Sequence, residues 1–456
     1  MGIKTKIINV SMGSVIILSL SCLESCMNIK NKTIEDGAVI SITASPNGHT
    51  LHHNGVFSKD GQWIVFDGRN DDTKIGETAT IGIVNVETGE ERIIYQTTDQ
   101  TVYGPGVGAV SFSPVKDEVI FIHGLPDANE ERPYAMSRRT GMLVNIHEER
   151  HAFPADARDV SAPYVPGSLR GGTHSHCWSP DGTMISFTYN DESVEPDLRV
   201  VGVMLKSKTE IAVDERPGNS NGGYYSAIVS DVVANPTPGS DEINKAFDEC
   251  WLAPVTGGAT NNYSIAFQGN TIDESGQQVT EIFVVDIDKE KILGDKDAVG
   301  KEGERPKVPQ GIWQRRLTYG ANLSDLRHWL RSSHDGKYIY AVAKDEQGNN
   351  QVLRCNVSDG ELSFVTNNPF SISSPFNLCK ESRKIAFVAE NNVFVYDMDR
   401  NESTQLTRND SKDPMVVGAP SFSPEGDFIV YNQYERIGDG EYLQIKRAII
   451  TDNTSF

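Results

Sequence analysis

The chain has 456 residues and a formal net charge of −21, with 40 glycines and 21 prolines spread along its length. So acidic a surface repels phosphate backbones and anionic lipid, which argues against nucleic-acid partners and membrane binding through a basic face. Short runs of β-branched and aromatic residues stand between Gly/Pro turns, and long amphipathic helical periods are nearly absent, so the chain is expected to be all-β.

At the start, Lys4 and Lys6 precede an apolar run over residues 7–20, too short to span a bilayer comfortably, and Cys22 and Cys26 follow. This is the pattern of a secretory signal, expected to end by residue 26. Leu23-Glu24-Ser25-Cys26 resembles a bacterial lipobox, and Ser19-Leu20-Ser21-Cys22 is the competing site. The resemblance implies a lipoprotein of the cell envelope, periplasmic or anchored in the outer membrane, touching the membrane only through its lipid. Residues 27–37 read as a linker and residues 38–456 as a single domain. The later cysteines, Cys177, Cys250, Cys355 and Cys379, follow no metal-binding spacing and read as buried packing residues.

A turn then recurs. Phe57-Ser58-Lys59-Asp60-Gly61, Phe112-Ser113-Pro114, Trp178-Ser179-Pro180-Asp181-Gly182, Ser333-His334-Asp335-Gly336 and Phe422-Ser423-Pro424-Glu425-Gly426 each lead into an alternating apolar run. Cys379-Lys380-Glu381-Ser382 is a worn copy. Pro fixes φ, Asp accepts a local amide and Gly takes the left-handed position, so each unit is a hairpin turn between two strands. Third and fourth strands follow, as at Asn392-Val393-Phe394-Val395-Tyr396-Asp397 and Thr404-Gln405-Leu406-Thr407. Four strands at this period make a propeller blade, and the chain holds about seven of them. The expected fold is a seven-bladed β-propeller of four-stranded antiparallel blades. Residues 38–43 are expected to pair with the last blade and close the ring. Residues 216–261 break the period as an inserted loop with a short helix over 241–251 capped by Ser240, long enough to cover one mouth of the channel. Residues 289–310 read as a solvated loop.

The turns resemble the TolB-type propeller repeat. The segments Phe121-Ile122-His123-Gly124, residues 162–176, Thr188-Tyr189-Asn190-Asp191, residues 236–243, residues 314–318 and Arg327-His328-Trp329 resemble the YidR-like group of bacterial propellers, whose function is unassigned. A remoter likeness is to oligogalacturonate lyases, seven-bladed propellers that hold manganese with histidines and cleave uronate chains by β-elimination. Only His174-Ser175-His176 fits that pattern, and Gly171 stands where the lyases have a glutamine ligand.

Counting five residues back from the turn serines gives His53, His174 and His328. One register on three blades places them at one mouth of the channel, flanked by His52 and His176. Three converging imidazoles suit a divalent metal, taken as manganese, zinc or calcium, with no other cofactor. Arg170 is read as a fork for a carboxylate and His176 as the proton acceptor of a lyase. His52, His123 and Tyr189 complete the expected ligand-binding set. The leading expectation is a small-molecule or carbohydrate binder with lyase-like chemistry. The competing one is a non-enzymatic scaffold that docks envelope proteins.

Overall fold

The computed structural model describes residues 39–71, 73–148, 151–191, 198–254 and 262–450; the expected signal peptide, lipobox and linker lie outside them. The repeated turn forms as the residues dictate. Ser58 Oγ donates to Asp60 Oδ1 at 2.6 Å and accepts the Trp63 amide at 3.0 Å, with Gly61 at φ +69°. Ser179 does the same with Asp181 and Met184, and Ser333 with Asp335 and Tyr338. Each hydroxyl satisfies an amide that the tight turn would strand. In the worn copy, Cys379 Sγ takes the Lys384 amide at 3.2 Å and Ser382 holds φ +55°.

The strands after these turns pair in sequence order. Val107–Phe112, Glu118–Gly124, Arg139–Asn145 and Ala152–Pro154 form one four-stranded antiparallel sheet. Arg331–Ser332 to Leu362–Phe364 form another, and Asn377–Leu378 to Glu402–Gln405 a third. Trp63–Asp67, Thr80–Asn85 and Glu91–Gln96 make a three-stranded sheet, continued by the isolated bridges Phe57↔Ile64 and Thr50↔Asp67. An eight-stranded sheet divides into one half from Gly172–Trp178 to Gly222–Ile228 and another from Lys245–Leu252 to Gln314–Arg316. One parallel pair, Arg199↔Lys245, joins the halves.

The first described strand, Val39–Ser41, pairs antiparallel with Gly440–Ile449, Val39 opposite Ala448, and so completes the sheet of Val416–Phe422 and Phe428–Ile437. This is the pairing with the last sheet that the sequence predicts. Apolar faces meet between sheets: Ile64, Phe66 and Val84 of the first pack with Val430 and Ile445 of the last. No sheet could bury both faces alone, so the core is shared around the molecule.

Two expectations need correction. Residues 241–251 are not a helix: Lys245–Leu252 is a strand paired with Ser264–Ile272, burying Ala246, Glu249, Trp251 and Leu252. Ser240 Oγ donates to the Thr237 carbonyl at 2.7 Å and closes a turn. The break at 216–261 therefore supplies two strands, Gly222–Ile228 and Lys245–Leu252, to the eight-stranded sheet. Residues 289–310 are not a mere solvated loop: they contain the helix Lys289–Gly294, capped by Asp288, and the 3-10 turn Lys296–Val299, and they fold over Arg170.

Candidate functional site

Four inner strands are irregular at the corresponding place. The register shifts between Gly108 and Ser111, His174 and Cys177, Phe247 and Cys250, and Val417 and Ser421. The residues in these bulges with positive φ are Ala109, Ser175, Asp248 and Gly418, at +54°, +57°, +51° and +75°. A bulge re-aims the side chains beside it, so equal counting from the turn does not give equal direction.

The three histidines part. His53 stacks on Trp329, centroids 3.9 Å apart and planes 5° apart. Its Nδ1 accepts from Arg331 Nη2 at 3.3 Å, which leaves the Nε2 proton facing Cys177 Sγ at 3.7 Å. His328 Nδ1 donates to the Leu326 carbonyl at 2.6 Å, and its Nε2 faces the Gln268 amide at 3.4 Å. His174 is buried with neither ring nitrogen hydrogen-bonded among the described residues. No group of three or more His, Cys, Asp or Glu stands ready to hold a metal ion among the described residues. His53, His174 and His328 are therefore not brought together as a ligand set.

Other expected site residues are committed elsewhere. Arg170 gives Nη1 and Nη2 to the Val299 carbonyl, both at 3.1 Å, and Nη2 to Glu304 O at 2.5 Å. It also stacks over Tyr164 at 4.1 Å and pairs with Asp191 at 3.5 Å, so no fork is left for a ligand carboxylate. Tyr189 OH donates to Asp191 Oδ2 and accepts the Gly171 amide, both at 2.9 Å, which spends it inside the fold. His123 Nδ1 faces the Gly124 carbonyl, which can only accept, so Nε2 takes the Tyr95 hydroxyl at 2.9 Å. The sequence cannot foresee Val299, Glu304 and Tyr95 as partners, because they come from a distant loop and a neighbouring strand.

His52 and His176 do stay together with His174. His176 is fully buried; its Nε2 meets Thr173 Oγ1 at 3.0 Å and its Nδ1 has no partner among the described residues. Gly141 makes room for it, since a Cβ there would lie 2.9 Å from Nε2. Burial, then Arg139, pushes His176 down to about 3. Burial, then Arg139, Arg199, His176 and Arg327, holds His174 well below the usual imidazole range. Burial, then Arg69, Arg327 and His176, does the same to His52. All three rings are neutral near pH 7.

Those neighbours disclose what counting histidines missed. Arg139 opens one third strand opposite Gly124, and Arg199 opens the next sheet's third strand opposite Asn190. Arg69 follows Trp63–Asp67, and Arg327 precedes Arg331–Ser332. Burial lowers Arg139, and like-charge repulsion from Arg199, Arg69 and Arg327 lowers it further, so the four guanidinium groups share one region. Arg327 is exposed and Arg139 and Arg199 are half-buried, whereas Arg69 is buried. Two carboxylates answer them. Asp67 holds Arg69 through Nε at 2.6 Å and Nη2 at 2.9 Å. Asp248 faces Arg327, Arg199 and Lys245, yet burial dominates and lifts it to about 6. A non-glycine residue at φ +51° is a strained placement of the kind found at binding sites.

The sheets and their shared cores define an all-β propeller, and the comparisons agree. A manganese-bound oligogalacturonate lyase overlays with a TM-score of 0.53 at 11% identity, over 92% of this chain and 96% of its own. The Cps50 (Swd1) β-propeller domain of Myceliophteria thermophila overlays with 0.51 at 8% identity, over 91% and 100%. A family model described as a protein of unknown function, DUF3748, matches residues 106–219, a span that includes Arg139, His174 and His176. The uncharacterized protein YidR of Escherichia coli (strain K12) is 33% identical over 413 residues, 87% of this chain and 95% of its own. The chain belongs to the YidR family of propellers.

Proposed function

We propose that the chain is an exported propeller of seven four-stranded blades whose arginine–histidine face binds an anionic ligand, a carboxylate-bearing saccharide. One observation carries this reading: in a chain of net charge −21, Arg69, Arg139, Arg199 and Arg327 gather around His52, His174 and His176. Guanidinium groups grip carboxylates in a planar fork, and neutral imidazoles with unspent nitrogens suit sugar hydroxyls. The pairing of Val39–Ser41 with Gly440–Ile449 supports a closed ring. The apolar run at residues 7–20 and the cysteines Cys22 and Cys26 support export and a lipid anchor.

A divalent metal, suggested by the manganese-bound lyase, does not fit these residues. His53 and His328 are hydrogen-bonded elsewhere, and the remaining imidazoles sit in a field of arginines that repels a cation. His176, held at about 3, is too weak a base to take a proton near neutrality. The reading is therefore a binder rather than a lyase.

Calorimetric titration with trigalacturonate tests it. Saturable binding is expected, weakened about tenfold or more in the Arg139→Ala, Arg199→Ala double variant and weakened by added salt. Undiminished binding in the variant, or no binding by wild type to pectic, alginate or glycosaminoglycan oligomers, rejects the reading.

A further inference from the structure

The two carboxylates set among the arginines are held very differently. Asp67 grips Arg69 through two hydrogen bonds and accepts the Ala109 amide at 2.8 Å. Asp248 is half-buried, and its carboxyl oxygens make no hydrogen bond and no ion pair among the described residues. Its backbone, by contrast, is fixed. The strand Lys245–Leu252 bulges at Asp248, whose carbonyl accepts the Leu330 amide at 3.1 Å. Three residues on, Trp251 Nε1 donates to the Cys177 carbonyl at 2.9 Å. The first bond ties the bulge to the segment of Arg327, Trp329 and Arg331, and the second ties its strand to that of His174 and His176.

The cations around Asp248 come from three elements, and each is supported by something else. Arg199 pairs in register with Lys245, and its Nε donates to Asn190 Oδ1 at 3.3 Å. Lys245 lies over the Phe247 ring at 4.9 Å, and Arg327 over Trp329 at 4.9 Å. Arg331 is spent on Asn377 and on the carbonyls of His53 and Leu330. Asp248 therefore feels four positive charges without closing on any of them. Burial raises its carboxyl, and Arg327, Arg199, Lys245 and Arg331 pull it back, to about 6. The other titratable groups beside it are uncharged near neutrality. Burial raises Glu249 to about 8 and Cys177 to about 12, raises Cys250 as well, and holds His174 and His176 down.

A ligand carboxylate drawn to Arg199 and Arg327 enters the field of Asp248. Two carboxylates sharing a half-buried site resist ionising together, and the weaker acid keeps the proton. A uronate is the stronger acid here, so the proton goes to Asp248, which then becomes a donor as well as an acceptor. We infer that Asp248 sets the pH dependence of this site: it competes with the anionic ligand for Arg199 and Arg327, and takes up a proton from solvent when that ligand binds. Binding then tightens in acid and slackens in base. This rests on the anion-binding reading of the face.

Calorimetric titration with trigalacturonate from pH 5 to pH 7.5 tests it, since the ligand's carboxyl groups stay ionised throughout. Affinity is expected to fall about tenfold across the range, with net proton uptake seen as a dependence of the binding heat on the buffer's ionisation enthalpy. Asp248→Asn keeps the shape, and Asn tolerates a positive φ as Asp does. The variant should bind about tenfold more tightly than wild type at pH 7.5, match it at pH 5 and take up no proton. A merely structural role would give no such gain. Glu249→Gln should leave the dependence between pH 5 and pH 7.5 in place. Should Asp248→Asn not fold, proton uptake by the wild type decides. Binding with flat affinity, binding without proton uptake, or an unchanged pH profile in folded Asp248→Asn would overturn this inference and leave the anion reading standing. No binding at any pH would overturn both.

Discussion

Burial, more than formal charge, decides what the titratable groups of this molecule do. Glu249 shows it most clearly. It is 1% exposed, accepts from Ser186 Oγ at 3.2 Å, and burial raises it to about 8. The folded state thus keeps a proton that the unfolded state gives up at lower pH. Stability from this group is fully present below the unfolded carboxyl range and is lost as pH rises toward about 8. Glu249→Gln keeps the shape and the acceptor for Ser186 but cannot ionise. The variant is expected to melt higher than wild type at pH 8, with the gap closing toward about pH 5; parallel melting curves at every pH, read by calorimetry, would refute this. Residue roles were the least legible part of the sequence. Arg170 was visible as a forked cation beside Gly171-Gly172, but nothing local reveals that Val299 and Glu304 come back to occupy it. The arginines that do gather were overlooked because they occur singly. Their shared signal is position: Arg139 and Arg199 each open a third strand.

Elements were far more legible, because the turn motif carries its own mechanism. Its glycine also makes contact across sheets. Gly182 sits at φ +64°, and a Cβ there would fall 2.4 Å from Val115 Cγ2. Gly182→Ala is therefore expected to cost about 1–3 kcal/mol, from backbone strain plus the displaced valine. Denaturant unfolding checks it, and a cost near zero would mean that the turn can relax. The strand misread as a helix had a signal of its own. His174-Ser175-His176-Cys177-Trp178 and Phe247-Asp248-Glu249-Cys250-Trp251 share a Cys-Trp pair at the same step of a bulged strand. Aligning on that pair, instead of on the missing turn, turns the supposed helix into a strand and places Asp248 beside Ser175 in register. The acidic first turn after Ser240 masked it, since local helix signals lose to pairing with Ser264–Ile272. The bulges themselves were not legible, for Ala109, Ser175 and Asp248 are ordinary residues at positive φ.

At the scale of the whole molecule, the proposed ring closure rests on a three-residue strand. Val39–Ser41 covers the edge of Gly440–Ile449, and the Ile42 amide adds a bond to Ile445 O at 2.8 Å. Removing residues 39–43 bares that edge to other chains. The truncated protein is expected to melt several degrees lower, of the order of 1–3 kcal/mol of lost stability, and to associate as concentration rises. Unchanged Tm and monomeric sedimentation would show that the contact is dispensable. This pairing was readable in the sequence, because residues 38–43 have strand character but no turn to lead them into a blade.

The arginine–histidine face is the proposed place where an anionic sugar is held. A crystal structure grown with trigalacturonate tests that most directly. The account predicts a carboxylate hydrogen-bonded by Arg139, Arg199 or Arg327, with a sugar hydroxyl on His174. A well-ordered ligand bound away from these residues, or a face that holds only water beside a saturating oligomer, would contradict it.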